Sequence, residues 1–372
     1  MGDRLTAIYR VVGEAASIAE RARGIAVEQS VEMPVEGIED RGVLAGIVGR
    51  VEGIADLGGG VFEVRVGLAV ATVSGREGGG DAGQLFNMLF GNTSIHEGVE
   101  LWDVELPPAV VAGYSGPNLG IAGVRGLAGV EGRALTSGAL KPQGLPPAGL
   151  AAIAGRLAAG GIDLIKDDHG LADQAYSPFA ARVDAVMDAL DGVAGRTGKR
   201  TVYVPSLSGD LDDMRGQIRH AAARGVGMVM VAPAIAGYAT FAALVRGFPA
   251  MGFMTHPALS GIARIAPPLF YGKLFRLLGA DAMVYPNHGG RFGSAPATCI
   301  ALAAAARAEW GEIRPALPVP AGGMTPARVG GMLDFYGPDT IVLIGGALLA
   351  ARERLTEEVA AFVAVVARHR YI

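Results

Sequence analysis

Up to about residue 130, apolar and polar positions alternate along the chain. IAVEQSVEM from Ile25, GIVGRVEGIAD from Gly46 and VFEVRVGLAV from Val61 read as antiparallel strands with one buried face. Gly78–Gly80 read as a turn, and DAGQLFNMLFG after it as a helix. Beyond residue 130 the pattern changes. The short apolar runs SGALKP, IDLIK, TVYVP, GMVMVAP, GFMTH, AMVYP, ALPVPAGG and TIVLIGG follow one another, and all but the first precede a helical stretch. Their starts lie about 25–35 residues apart, as expected for one βα unit each. Eight such units predict a (β/α)8 TIM barrel over 129–372, preceded by a smaller α+β domain of the ferredoxin-like kind over 1–128. An open doubly wound sheet is the alternative, and the even spacing favours closure.

Composition narrows the classes. Of the 372 residues 51% are apolar, which fills a large core. The net charge of −4, with no Lys/Arg run, argues against a nucleic-acid partner. Cys299 is the only cysteine, so no intrachain disulfide and no Cys-based metal site can form, which fits a cytoplasmic protein. The start, MGDRLTAIYR, lacks an apolar signal core. Gly225–Val245 is long and uncharged, but Pro233 and Gly237 divide it into a buried strand, a loop and a buried helix, so no membrane span is expected.

In such a barrel the chemistry lies at the C-terminal strand ends. The polar residues there are Lys141, then Lys166, Asp167, Asp168 and His169, then His256, then Asn287, His288 and Arg291. Asp168 and His169 are acceptable ligands for a divalent cation, and a structural Lys–Asp salt bridge is the competing reading. Gly322–Gly323 and Gly345–Gly346 follow the seventh and eighth strands, where backbone N–H groups of this fold commonly bind phosphate; turn glycines are the alternative. His96, His220 and His369 read as surface or packing residues.

These segments resemble the RuBisCO superfamily along nearly the whole chain. The carriers are IAVEQSVEM with Glu28, LFGNTS with Asn92, ALKPQG with Lys141, GGIDLIKDDHG with Lys166, FMTHPALSG with His256, and PVPAGGM and VLIGGAL with the two glycine pairs. The resemblance implies a homodimer in which Glu28 and Asn92 serve the partner's site. It also implies a carbamylated Lys166 that holds one Mg2+ together with Asp168 and His169, with no organic cofactor. His169 stands where the family has a glutamate, which removes one carboxylate from that set.

Other departures shape the expected chemistry. The family's bisphosphate enzymes use an arginine, a histidine and a serine at positions held here by Pro257, Val284 and Ala321. A phosphate dianion without donors is expelled from an apolar pocket. Gln143 and Ser260 replace a lysine and a histidine, and Arg291 takes the place of the mobile-loop lysine. The resemblance therefore implies the non-carboxylating RuBisCO-like branch. The expected enzyme enolises a ketose monophosphate through Lys141 and Lys166, as an isomerase of 5-methylthioribulose 1-phosphate in methionine salvage. The alternatives are a 2,3-diketo-5-methylthiopentyl-1-phosphate enolase, a 3-oxo-isoapionate-4-phosphate decarboxylase or hydrolase, and a barrel with a decayed site that binds or regulates.

Overall fold

The computed structural model describes residues 3–75 and 79–371. Gly78 of the expected turn lies outside them, while the Gly75 N–H donates to Gly79 O at 2.8 Å. The chain forms two compact units, Met1–Ser115 with Gly261–Phe270, and Gly116–Ser260 with Tyr271–Ile372.

The first unit runs β1 (Arg4–Val12), helix Ile18–Glu28, β2 (Arg50–Asp56), β3 (Val61–Ala69), helix Ala82–Phe90 and β4 (Val99–Glu105). All pairs are antiparallel in the order β2-β3-β1-β4, the ferredoxin-like βαββαβ arrangement. Phe62, Val64, Val66 and Leu68 alternate into the core, as a half-buried strand requires. IAVEQSVEM is not a strand. Its first residues end a helix whose buried Ile18, Ala22, Ile25 and Ala26 recur at helical spacing. The alternation read from Ile25 onward is only the tail of that pattern. On the β4 edge, the Leu101 N–H donates to Arg264 O and the Ala266 N–H to Leu101 O, both at 2.9 Å. A segment from the fifth barrel connection thus covers an edge that would otherwise be open.

The second unit contains β5 (Leu135–Leu140), β6 (Leu164–Asp167), β7 (Val202–Val204), β8 (Met228–Val231), β9 (Gly252–Thr255), β10 (Ala282–Pro286), β11 (Leu317–Ala321) and β12 (Ile341–Leu343). They form two parallel arcs, β12-β5-β6-β7 and β8-β9-β10-β11. The arcs meet at one seam where the Met230 N–H donates to Pro205 O at 2.8 Å and the Leu207 N–H to Met230 O at 2.9 Å. At the other seam the reason for the missing ladder is in the sequence. The Leu317 N–H serves Asp281 on the β10 side, so alternation aims Pro318 and Pro320, which have no N–H, at β12. The Thr340 hydroxyl donates to Pro318 O there at 3.0 Å. The barrel is filled by Leu135, Leu164, Val204, Met230, Met254, Val284, Val319 and Ile341, with Val124 and Ala128 of helix Gly120–Ala128 closing one end. Gly225–Val245 forms β8 and short helices, and among the described residues no helix is long and apolar enough to cross a membrane.

Candidate active site

Strand β6 sorts its charged residues by alternation. Lys166 and Asp168 turn to the barrel mouth, and Asp167 turns to the helices. Asp167 is fully buried and saturated. It accepts from Arg182 Nε at 3.1 Å, the Tyr203 hydroxyl at 2.7 Å and the Ser206 N–H at 3.0 Å. It is a structural anchor.

The β5–β6 register pairs Leu140 with Asp167, which brings Lys141 beside Asp168. Lys141 Nζ lies 2.5 Å from Asp168 Oδ1. Burial would raise the Asp168 carboxyl, but the His169 and Lys141 hydrogen bonds and the two lysine charges outweigh it and hold it well below the usual range. Lys166 is buried and donates to Asp167 O at 2.7 Å. Burial first, then the Lys141 charge, lowers its pKa to about 8 against the pull of Asp168. About a tenth of Lys166 is then a neutral amine at pH 7, far more than for a free lysine.

Two imidazoles complete this mouth. The rings of His169 and His256 stack with centroids 4.6 Å apart and planes 3° from parallel. His169 Nδ1 lies 3.4 Å from Asp168 Oδ1. His256 Nδ1 accepts the Ala258 N–H at 3.1 Å, so a neutral His256 carries its proton on Nε2. Burial and the nearby Lys166 push its pKa down to about 2, which keeps it neutral.

At the far strand ends, a side chain at Gly345 would stand 3.5 Å from Ala139 Cβ and 3.7 Å from Lys141 Cε, so this glycine faces the lysine. A side chain at Gly346 would meet nothing within 4 Å. Gly322 and Gly323 have φ of +94° and +85°, which glycine alone adopts readily. The Arg291 N–H donates to Gly322 O at 2.9 Å, and a Cβ at Gly323 would be 2.8 Å from Arg291 Cγ. The loop after β10 therefore rests on the glycine turn after β11. Its root is tied down by Asn287, whose side chain meets Met324 and Tyr336, and by Arg328, which donates to His288 O and Gly289 O. His288 packs on Phe335, centroids 4.3 Å apart.

Among the described residues, no group of three or more His, Cys, Asp or Glu is placed to hold a metal ion. Asp168 and His169 offer two donors, so an oxygen-seeking cation fits only when Lys166 adds a carboxylate to its amine. The lowered pKa of Lys166 suits that addition, because only the neutral amine reacts with CO2.

Within the first unit, Asn92 Nδ2 donates to Glu28 Oε1 at 2.9 Å. Both line a small pocket with Gln29, Ser30, Glu32, Asn87 and Met88. Sequence reading missed two supporting residues, Arg182 and Gln29. Arg182 was signalled by its place among Phe179, Val183 and Val186 on the buried face of its helix, where an arginine demands a buried acid. Gln29 carried no such signal.

The catalytic domain of the ribulose bisphosphate carboxylase large chain matches residues 120–351. A 5-methylthioribulose-1-phosphate isomerase from Rhodospirillum rubrum is 58% identical over 99% of this chain and 97% of its own. A ribulose bisphosphate carboxylase-like protein from Rhodopseudomonas palustris is 52% identical over 99% of both. The crystal structure of a Rubisco-like protein from the same species superposes with a TM-score of 0.91 at 49% identity, covering 99% of this chain and 98% of the other.

Proposed function

Because this chain belongs to the ribulose bisphosphate carboxylase large-chain family, in its non-carboxylating RuBisCO-like branch, we propose that it isomerises 5-methylthioribulose 1-phosphate to a methylthioxylulose 5-phosphate. It is an isomerase and not a carboxylase. The observation that carries the substrate class is the loss of one anion site. Val284 is 3% exposed and packed among Met254 and Val319, and Pro257 and Ala321 supply no side-chain donor. The glycine ends at Gly322, Gly323, Gly345 and Gly346, with Arg291 beside them, remain for a single phosphate. The uncharged pole suits a thioether.

The reaction moves the carbonyl from C2 to C4 through two enediols and leaves the formula unchanged. Each enolisation removes a carbon-bound proton and places negative charge on oxygen. Lys141, positioned by its 2.5 Å contact with Asp168, donates toward such an oxygen, and neutral His256 presents its Nε2–H. Lys166, as amine or carbamate, takes the proton. A Mg2+ ion held by carbamylated Lys166, Asp168 and His169 would supply Lewis-acid polarisation of the ketone. Glu28 and Asn92 serve the site of the partner in a homodimer, and the lone buried Cys299 suits a cytoplasmic location.

The test is incubation with 5-methylthioribulose 1-phosphate in D2O, followed by phosphorus and proton NMR. The phosphorus resonance is expected to move as the ketone leaves the neighbouring carbon, with deuterium entering the former C2 and C3. Unchanged substrate, together with enolisation of 2,3-diketo-5-methylthiopentyl 1-phosphate, would transfer the chain to the enolase reading. The anion site has its own test. Gly323→Ala forces a side chain onto Arg291 at φ +85°, so KM and the inhibition constant for inorganic phosphate should both rise about tenfold. Unchanged values would place the phosphate elsewhere.

A further inference from the structure

We infer that Gln29 is a positioning residue that sets the Glu28–Asn92 pair, a role that rests on those two residues serving the active site as proposed above. Gln29 follows Glu28 at the C-terminal end of helix Ile18–Glu28 and is 2% exposed. Its side chain is saturated. Nε2 donates to Asn87 O at 3.0 Å and to Met88 O at 2.7 Å, and Oε1 accepts the Thr93 N–H at 3.0 Å.

Each bond has a physical reason. The last carbonyls of helix Ala82–Phe90 have no partner within that helix. Gln29 takes Met88 O and shares Asn87 O with the Gly91 N–H, which reaches it at 2.7 Å, and the Tyr9 hydroxyl takes Leu89 O at 2.6 Å. Thr93 lies in the turn Asn92–Ile95 that follows. One amide thus joins the end of the first helix, the end of the second, and the turn that aims Asn92. Asn92 is exposed and Glu28 half-buried, and their mutual 2.9 Å bond is too weakly held by its own energy to fix either side chain at a surface reached by water. The order comes from the residue behind them.

A cap and an aiming device differ in what they couple. Gln29→Met keeps the volume and removes all three bonds. If Gln29 acts through the pair, turnover of 5-methylthioribulose 1-phosphate should fall between about tenfold and a hundredfold, in kcat more than in KM. The same change made on the residual activity of Glu28→Gln or Asn92→Ala should cost less than twofold, because there is no aimed pair left to disturb. The unfolding midpoint should drop by a similar amount in all three backgrounds. Equal losses of kcat in every background would overturn the inference and leave Gln29 as a helix cap. So would full activity of Gln29→Met beside impaired Glu28→Gln and Asn92→Ala. Should Gln29→Met not fold, Gln29→Asn, with the same amide one carbon short, enters the same cycle. Wild-type turnover in both Glu28→Gln and Asn92→Ala would instead sink the shared-site reading, and the inference with it.

Discussion

Lys166→Ala is expected to lower turnover by about 10³-fold or more while the protein stays folded. Enolisation of an unactivated ketone needs a base at carbon and opposite charge at oxygen. Among the described residues Lys166 is the one buried lysine, and its neighbours are arranged around it, with Asp168 and Lys141 on the same face and His256 neutral beside them. On the proposed mechanism its removal takes away the base and also the anchor of the cation. Asp168→Ala should behave alike, since it frees Lys141 and removes the carboxylate that both Lys141 and His169 contact. Activity should vanish in chelator and return with Mg2+ or Mn2+. Steady-state kinetics with circular dichroism checks all three. More than a tenth of wild-type activity in folded Lys166→Ala would remove this residue from the chemistry. Full activity in metal-free protein would give the proton transfers to His169 and Lys141 without a cation.

The lowered pKa adds a pH dependence with a definite sign. The folded-state pKa of Lys166 is about 8 against 10.5 for a free lysine. Between these values the unfolded chain binds more protons, so this residue makes stability rise with pH across that window. Lys166→Ala should lose that slope. Bicarbonate should activate the enzyme more strongly as pH rises through about 8, because the neutral amine is the reacting form.

The barrel strands were legible because each is a short apolar run bounded by turn residues, and burial on both faces leaves that signature. The polar residues that end them stood out against an apolar chain. In the first unit the alternation of β3 was read correctly, but the run from Ile25 was not. There a helix and a strand share a few alternating positions, and only the longer 18–28 window separates them. β1 and β4 pair with strands far away in sequence, and nothing local announces that pairing. The same holds for Gly261–Phe270, which leaves the barrel to cover the β4 edge. In the site, strand alternation separated Asp167 from Asp168. Gln29 stayed hidden because its three partners are backbone groups, and a sequence does not show which carbonyls a helix end leaves open.

Asp167 and Arg182 should prove the most costly pair to break. Both side chains are fully buried and 3.1 Å apart. Arg182 also donates to Ala172 O at 2.7 Å and Ser177 O at 2.8 Å, which fixes the long connection after β6. Asp167→Ala would strand a buried guanidinium, the Tyr203 hydroxyl and the Ser206 N–H, and should destabilise by about 3–5 kcal/mol. Arg182→Met would strand the carboxylate and cost a similar amount. Burial already pushes that carboxyl's pKa up, with Arg182 as the main opposing influence, so without the arginine it should take up a proton more readily. The double variant should cost clearly less than the two single losses added together, because the second removal deletes a charge already unpaired. Urea unfolding of the four proteins measures this cycle. A loss under about 1 kcal/mol in either single variant would mean that the anchor of the strand carrying Lys166 and Asp168 lies elsewhere. The two aspartates, adjacent in sequence, should thus separate by assay: Asp168 in turnover, and Asp167 in stability first and in turnover only through the strand it holds.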